Sequence, residues 1–349
     1  MKKILYAMAV LFGCATVSYA QTSFIATLQH EGEFTHYYGA GALASAYNAA
    51  NAGDIITLSP GTFTWSGTFN KGITLRGAGI ESDNKTYISG EVTFASKDST
   101  MVTIVEGIRF NSRTYVSNNS SGSGQGVIKF IKNYFSQITA SKNSSTYSSK
   151  RGPLVRIYNC IVSGEMYFSE YVYPDFLFYN CYVVNPYCSQ SFSETTTAFV
   201  NCVINWTSSY SYNAYYLNFY NCIFNWTGSY GGTDSNYKLP NTATCYNCLS
   251  INKTYLFNNL VSSGNNKTIS SASEVFATYT TGYKNGETFE LTDAAKEAYI
   301  GTDGTQIGMQ GGNYPYTTTV QYPIITKFNV DAQTNKAGML NVEVEVDGE

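Results

Sequence analysis

The sequence predicts an all-β chain wound as a parallel β-helix, and three observations carry that prediction. An aromatic-Asn-Cys triplet recurs at Tyr158-Asn159-Cys160, Tyr179-Asn180-Cys181, Tyr220-Asn221-Cys222 and Tyr246-Asn247-Cys248, with Val200-Asn201-Cys202 between them. Starting from Asn133 in the degenerate copy Lys132-Asn133-Tyr134, the asparagines are spaced 26, 21, 21, 20 and 26 residues apart. A basic period of about 21 with short insertions is one turn of a solenoid plus loops. The repeats are also dense in Asn, Ser, Thr, Gly, Tyr and Val. The competing α-solenoid needs helix-length stretches with few breakers, and this composition argues against it.

Residues 1–20 read as a secretory signal peptide. Lys2 and Lys3 precede the apolar run Ile4 to Phe12, and Ser18-Tyr19-Ala20 offers a small-x-small cleavage site. The run is too short to span a bilayer. Leu11-Phe12-Gly13-Cys14 leaves lipidation of Cys14 as a rival to cleavage after Ala20, although Phe12 is bulky for that signal. Either route implies export, so a secreted or cell-surface protein is expected.

Residues 21–320 hold the solenoid with its N-terminal cap. Ala42 to Ala50 places Leu43, Ala46, Tyr47 and Ala50 on one face, a short amphipathic helix. Inside the repeat, columns show which side chains point inward. Two before the Asn stand Ile131, Ile157, Phe178, Phe199, Phe219 and Cys245; one after it stand Cys160, Cys181, Cys202, Cys222 and Cys248. Three after it stand Val162, Val183, Ile204, Phe224 and Ser250. This fits two short alternating strands joined by a corner at the Asn. Such a corner needs a residue that tolerates left-handed backbone, as Asn does. The predicted ladder therefore comprises Asn133, Asn159, Asn180, Asn201, Asn221 and Asn247 beside the five cysteines, with stacked amides expected to bond rung to rung. Residues 321–349 form a C-terminal tail in which Val342, Val344 and Val346 alternate with polar residues, and Ile324 to Val330 is a partner strand.

Ala49-Ala50-Asn51-Ala52-Gly53-Asp54-Ile55-Ile56-Thr57-Leu58-Ser59-Pro60-Gly61-Thr62-Phe63 and Ile73-Thr74-Leu75-Arg76-Gly77-Ala78-Gly79 resemble the opening of right-handed parallel β-helix proteins of the pectate-lyase-like superfamily. Gly301-Thr302-Asp303-Gly304-Thr305-Gln306-Ile307-Gly308 and Gly311-Gly312 are similar to the exit segment of secreted members. The resemblance implies a right-handed coil with a helix plugging its first end. It says little about activity, because this solenoid hosts lyases, hydrolases, adhesins and inert stalks. Polygalacturonase-like members carry paired aspartates and a His, whereas this chain has no Asp-Asp pair and no His beyond His36. Pectate-lyase-like members use Ca²⁺ held by acidic residues with an Arg or Lys base, and their recognition motifs are not visible here.

Seven cysteines follow residue 20, an odd number for an exported chain. Five share one inward column, where stacked parallel side chains rarely meet disulfide geometry, so free buried thiols are expected. Cys245-Tyr246-Asn247-Cys248 has CxxC spacing, yet both thiols fall in core columns and no nearby His completes a zinc site. No metal site is predicted.

Composition narrows function further. Charged residues make up 13% and aromatics 15%, with 31 Tyr against 20 Phe. Net charge is −3, or −5 without Lys2 and Lys3, and no basic cluster exists to hold nucleic acid or anionic lipid. No transmembrane segment is expected, and the protein is expected to be a monomer. Two tyrosine groups stand out. Tyr158, Tyr179, Tyr220 and Tyr246 form an outward stripe before the ladder. Tyr167, Tyr171, Tyr173, Tyr187, Tyr210, Tyr212, Tyr215 and Tyr216 are candidate glycan-contacting rings, since flat aromatics stack on sugars. Asn205-Trp206-Thr207 and Asn225-Trp226-Thr227 are sequons read as turn repeats. Among charged residues, Arg156, Glu165, Glu170, Asp175 and Glu194 lie on the central rungs.

Two functions follow. One is a non-catalytic β-helix scaffold that binds a polysaccharide or surface glycan and needs no cofactor. The other is a Ca²⁺-dependent polysaccharide lyase acting on an acidic glycan, with Glu165, Glu170, Tyr167 and Arg156 as its candidate catalytic residues. Scarce charge and abundant Tyr favour the first.

Overall fold

The computed structural model describes residues 24–81, 84–118, 125–141, 152–168, 175–188, 196–207, 213–228, 237–279, 281–318, 324–330 and 342–347. The chain is an all-β parallel solenoid of about eight turns. Most turns give one strand to each of two twelve-stranded sheets, with Gly67–Phe69 and Val92–Ser96 as second strands of their turns in the second sheet, and parallel neighbours in a sheet come from successive turns. The first sheet opens with the antiparallel pair β1 (Ile25–His30) and β2 (Glu33–Tyr38), continues through β3 (Ile55–Leu58), and ends at Ser262–Gly264. Helix α1 (Ala42–Ala49) buries Ala42, Leu43, Ala46 and Tyr47 against the first rungs. The Lys71 ammonium closes its C-terminal end, donating to the carbonyls of Tyr47, Asn48 and Ala50 at 2.7, 3.1 and 2.7 Å.

Inside the barrel the predicted columns are buried. Phe178, Phe199 and Phe219 are stacked with ring centroids 4.7 and 5.0 Å apart. Cys160, Cys181, Cys202 and Cys222 are fully buried, and Cys248 is 2% exposed. All seven described cysteines are free thiols. Each column thiol donates to the carbonyl of the inward residue one rung back, as Cys222 does to Phe199 at 3.3 Å. Burial pushes the thiols of Cys160, Cys202 and Cys248 well above their ordinary range, which keeps these three protonated.

The corner lies where the repeat predicts it, with Asn159, Asn180, Asn201, Asn221 and Asn247 at φ of 52–54°. The earliest copy is offset by one residue. Tyr134 pairs with Ile161, so Lys132 (φ 50°) takes the corner and Asn133 aligns with Cys160. The inward side chain there is Phe130, fully buried, rather than Ile131. Asn133 stands in for a thiol: its amide donates to Val105 O at 2.8 Å, one rung back. Asn266 does the same at the far end, donating to Cys245 O at 2.9 Å, while Asn265 (φ 55°) makes that corner. Two asparagines thus bracket the five cysteines.

The expected rung-to-rung bonding of the ladder amides gives way to another arrangement. Successive corners are joined by backbone, with Asn159 N donating to Tyr179 O at 3.0 Å and Asn180 N to Val200 O at 3.1 Å. The side chains turn outward and clasp a C-terminal strap, residues 299–316. Asn159 Nδ2 donates to Tyr314 O at 2.7 Å, and Asn180 Nδ2 to Met309 O and Gly311 O at 2.9 and 2.6 Å. Asn221 Oδ1 accepts from Thr302 N at 3.1 Å. Gly308 (φ 80°) and Gly312 (φ 71°) permit this approach, since a Cβ there would strike Ile223 and Asn201.

Strap and preceding loops build a second core outside the barrel. Ile161, Tyr182, Val203, Ile223 and Leu249 point outward, and Tyr279, Phe289, Leu291, Ile307, Met309 and Tyr316 cover them. The strap's far end is anchored by Glu81, which accepts from Tyr283 Oη, Tyr316 Oη and Gly286 N at 2.6, 2.8 and 2.7 Å. The tail strands Ile324–Val330 and Val342–Asp347 pair antiparallel as a separate two-stranded sheet.

Candidate functional site

With the barrel filled and part of its outer wall covered, the open surfaces are the outer side of the first sheet and a third face. The third face exists because long strands of the second sheet bend. Ile108–Asn118, Tyr134–Ser141 and Ile161–Phe168 shift register after Phe110, Phe135 and Val162, and beyond the shift each strand faces a new direction.

Past the bend, one residue per rung points outward in an unbroken row. Thr68 pairs with Thr93, Thr93 with Tyr115, Tyr115 with Thr139, Thr139 with Tyr167, and Tyr167 with Tyr187. Strand spacing sets these side chains about 4.8 Å apart. The Tyr167 and Tyr187 rings stack at 4.8 Å with planes 22° apart, and Tyr167 is 38% exposed. Between Tyr115 and Tyr167 lies Thr139, whose hydroxyl is buried without a protein partner.

A polar row runs beside this one. Arg113 is in register with Gln137, and Arg113 Nε donates to Gln137 Oε1 at 2.7 Å. Arg113 Nη1 also donates to Tyr115 Oη at 3.3 Å, with the guanidinium 5.8 Å from that ring's centre. Glu165, exposed, precedes Met166 as Gln137 precedes Ile138, and Ile138 pairs with Met166. Glu165 therefore extends the polar row on the next rung.

Of the candidates read from sequence, Glu165, Tyr167 and Tyr187 come together here. Arg156 does not join them. It lies on the first sheet, where its Nη1 donates to Asp175 Oδ1 at 3.1 Å, so the expected grouping of Arg156 with Glu165 and Tyr167 is not formed. Tyr215 follows Ala214, which bridges to Cys188 at the end of this face. Tyr216 (φ 59°) packs partly against the barrel core. Tyr171, Tyr173, Tyr210, Tyr212, Glu170 and Glu194 lie outside the described residues, as does Cys14.

Arg113, Tyr115, Gln137 and Thr139 escaped the sequence reading because they precede the clear repeats, and the register shift hides their common face. On the first sheet the tyrosine stripe is real but divided. Tyr158 and Tyr179 stack at 5.3 Å and Tyr220 and Tyr246 at 6.2 Å, while Tyr314 of the strap packs on the first pair. Burial, helped by Tyr179 and Tyr314, raises the Tyr158 hydroxyl above its usual range.

The sequon asparagines are 1% and 4% exposed and form a second ladder, but they lie within strands Val203–Trp206 and Ile223–Trp226, in register with each other, rather than in the turns expected from sequence. Asn205 Nδ2 donates to Thr227 Oγ1 at 3.0 Å, and Asn185 Nδ2 to Thr207 Oγ1 at 2.8 Å. Among the described residues, no group of three or more His, Cys, Asp or Glu is placed to hold a metal ion, and no helix is long and apolar enough to cross a membrane. Clefts of about 390 and 520 Å³ lie near opposite ends of the solenoid, lined by Asn247, Lys267 and Tyr299 and by Asn70, Lys71 and Lys97. Comparisons with protein families, curated proteins and solved structures find no match.

Proposed function

We propose that the chain is a secreted or cell-surface β-solenoid scaffold that binds a polysaccharide along its third face. One observation carries the reading: the in-register row Tyr115, Thr139, Tyr167, Tyr187 beside the polar row Arg113, Gln137, Glu165. An open platform with one side chain every ~4.8 Å suits an extended polymer better than a small molecule. Rings stack on sugar faces, and the guanidinium, amide and hydroxyls bond to sugar hydroxyls or a carboxylate.

Calorimetric titration of the purified protein against neutral and acidic polysaccharides tests this. Tyr167→Ala and Tyr187→Ala should each weaken binding roughly tenfold, the equivalent of ~1.4 kcal/mol. Tyr246→Ala, on the first sheet, should leave it unchanged. Binding that ignores both Tyr167 and Tyr187 would remove this face from consideration.

A lyase is the second reading, favoured by Arg113 and Glu165 sharing the polar row. It predicts unsaturated uronate absorbance with Ca²⁺ and an acidic glycan, lost in Glu165→Gln and Arg113→Ala. Binding without product leaves the scaffold reading standing.

A further inference from the structure

The two ends of the first sheet are finished in opposite ways. At the C-terminal end the edge strand Ser262–Gly264 has three residues, and the second sheet ends in the equally short, lysine-bearing Lys267–Ile269. Short strands and edge lysines are how natural sheets discourage pairing. At the N-terminal end the edge is β2, six residues paired with β1 without a bulge, and it contains no Lys or Pro. Five of its six side chains are exposed, with Phe34 at 60% and Tyr38 at 66%.

Among the described residues nothing pairs with the outer side of β2, and its backbone groups there have a definite order. Gly39 N donates to Phe24 O at 2.9 Å, marking that pair as hydrogen-bonded. Hydrogen-bonded and non-hydrogen-bonded pairs alternate along an antiparallel ladder. Glu33, Thr35 and Tyr37 therefore bond to β1, while the N–H and C=O groups of Phe34, His36 and Tyr38 face away from it. These three positions are symmetric about His36. A second β2 laid antiparallel across a two-fold axis at His36 sets Phe34 opposite Tyr38, His36 opposite His36, and Thr35 opposite Tyr37. Every outward N–H and C=O then finds its complement. Apart from the central His36 pair on the axis, the side-chain pairs are aromatic on aromatic and aromatic on β-branched, both favourable across strands. Glu33 falls outside the paired positions, so no carboxylate faces another.

We propose that two copies of this chain associate head to head through their β2 edges, joining two twelve-stranded sheets into one continuous sheet with a two-fold axis at His36. This departs from the monomer expected from sequence, and it is independent of the glycan reading. A single strand pair is a small interface, so association in the micromolar range is expected.

Sedimentation velocity of the purified protein between ~1 and ~200 μM reads the equilibrium. The wild type should shift from monomer to dimer across that range. Phe34→Lys and Tyr38→Lys should each weaken the dimer at least tenfold. His36→Pro removes an edge N–H without touching a β1 bond and should abolish it. Val261→Lys, at the other end of the solenoid and 84% exposed, should change nothing. Circular dichroism and melting temperature show that each variant is folded.

A cross-link gives an independent readout. His36→Cys should yield a disulfide-linked dimer under mild oxidation, because paired positions at ~5.5 Å lie within disulfide range. The seven described native cysteines are buried and cannot contribute to it. A monomer at every concentration would overturn the proposal. So would a dimer that survives Phe34→Lys, Tyr38→Lys and His36→Pro, or a wild-type dimer whose His36→Cys form does not cross-link.

Discussion

Asn180 does two jobs at once, and they can be separated. Its backbone sits at φ 53°, and its amide bonds two strap carbonyls at 2.9 and 2.6 Å. An L-residue other than Asn costs about 1 kcal/mol in that conformation, and each buried carbonyl left without a donor costs about 1–3 kcal/mol. Asn180→Ala should therefore destabilise by roughly 3–7 kcal/mol in denaturant unfolding. Asn180→Gly keeps the turn and should cost about 1 kcal/mol less. Equal losses in both variants would show that the turn itself costs nothing. The same position explains what sequence could and could not reveal. Six corner residues are Asn and were legible, or became so, by identity. Lys132 and Gly107 hold the same left-handed place with different side chains, and only strand register exposes them. Asn133 misled because the amide that fits a corner also fits a thiol's place.

At the scale of elements, the N-terminal cap couples β1 to the loop after α1 through one charge pair. His30 Nδ1 lies 2.7 Å from Asp54 Oδ1, while Asp54 Oδ2 accepts from Asn51 N at 2.7 Å. The hydrogen bond to Asp54, followed by its charge, raises the His30 imidazole above 6.5. The contact thus contributes fully while pH is below the unfolded value of ~6.5 and is lost as pH rises through the folded value. NMR titration should find His30 titrating above 6.5, and Asp54→Asn should return it toward that value. An unchanged midpoint in Asp54→Asn would disprove the pairing. The strap, by contrast, was legible only as a likeness of residues 301–308 and Gly311-Gly312 to an exit segment, and its role as a cover was not legible. Residues 299–316 have no period of their own. The available signal was indirect: the residue after each column Cys is Ile161, Tyr182, Val203, Ile223 or Leu249, an apolar column aimed outward that some other segment had to cover.

For the whole molecule, the repeat made the fold class legible, while the third face was hidden by register shifts that break the period. The seven described cysteines are all free thiols, and all are buried. Burial also pushes Cys188, outside the column, up to about 12. A thiol-reactive dye should label none of the seven described cysteines rapidly in the native protein and all seven after denaturation. Fast native labelling, or fewer than seven reactive thiols under non-reducing denaturation, would contradict the closed, unbridged column.

The strap also sets an order of events. Asn159 meets Tyr314 across 155 positions of sequence, and Glu81 meets Tyr316 across 235. Rungs contact only their neighbours and can stack as the chain is made or threaded from its N-terminus. The outer wall cannot close until the strap, made after every rung, arrives and runs back along them. Closure is therefore a late, long-range step, and loop-closure entropy makes it slow relative to rung stacking. A nascent chain would stay unlatched until residues 299–316 have emerged, so the wall is sealed only after every rung it covers has been made.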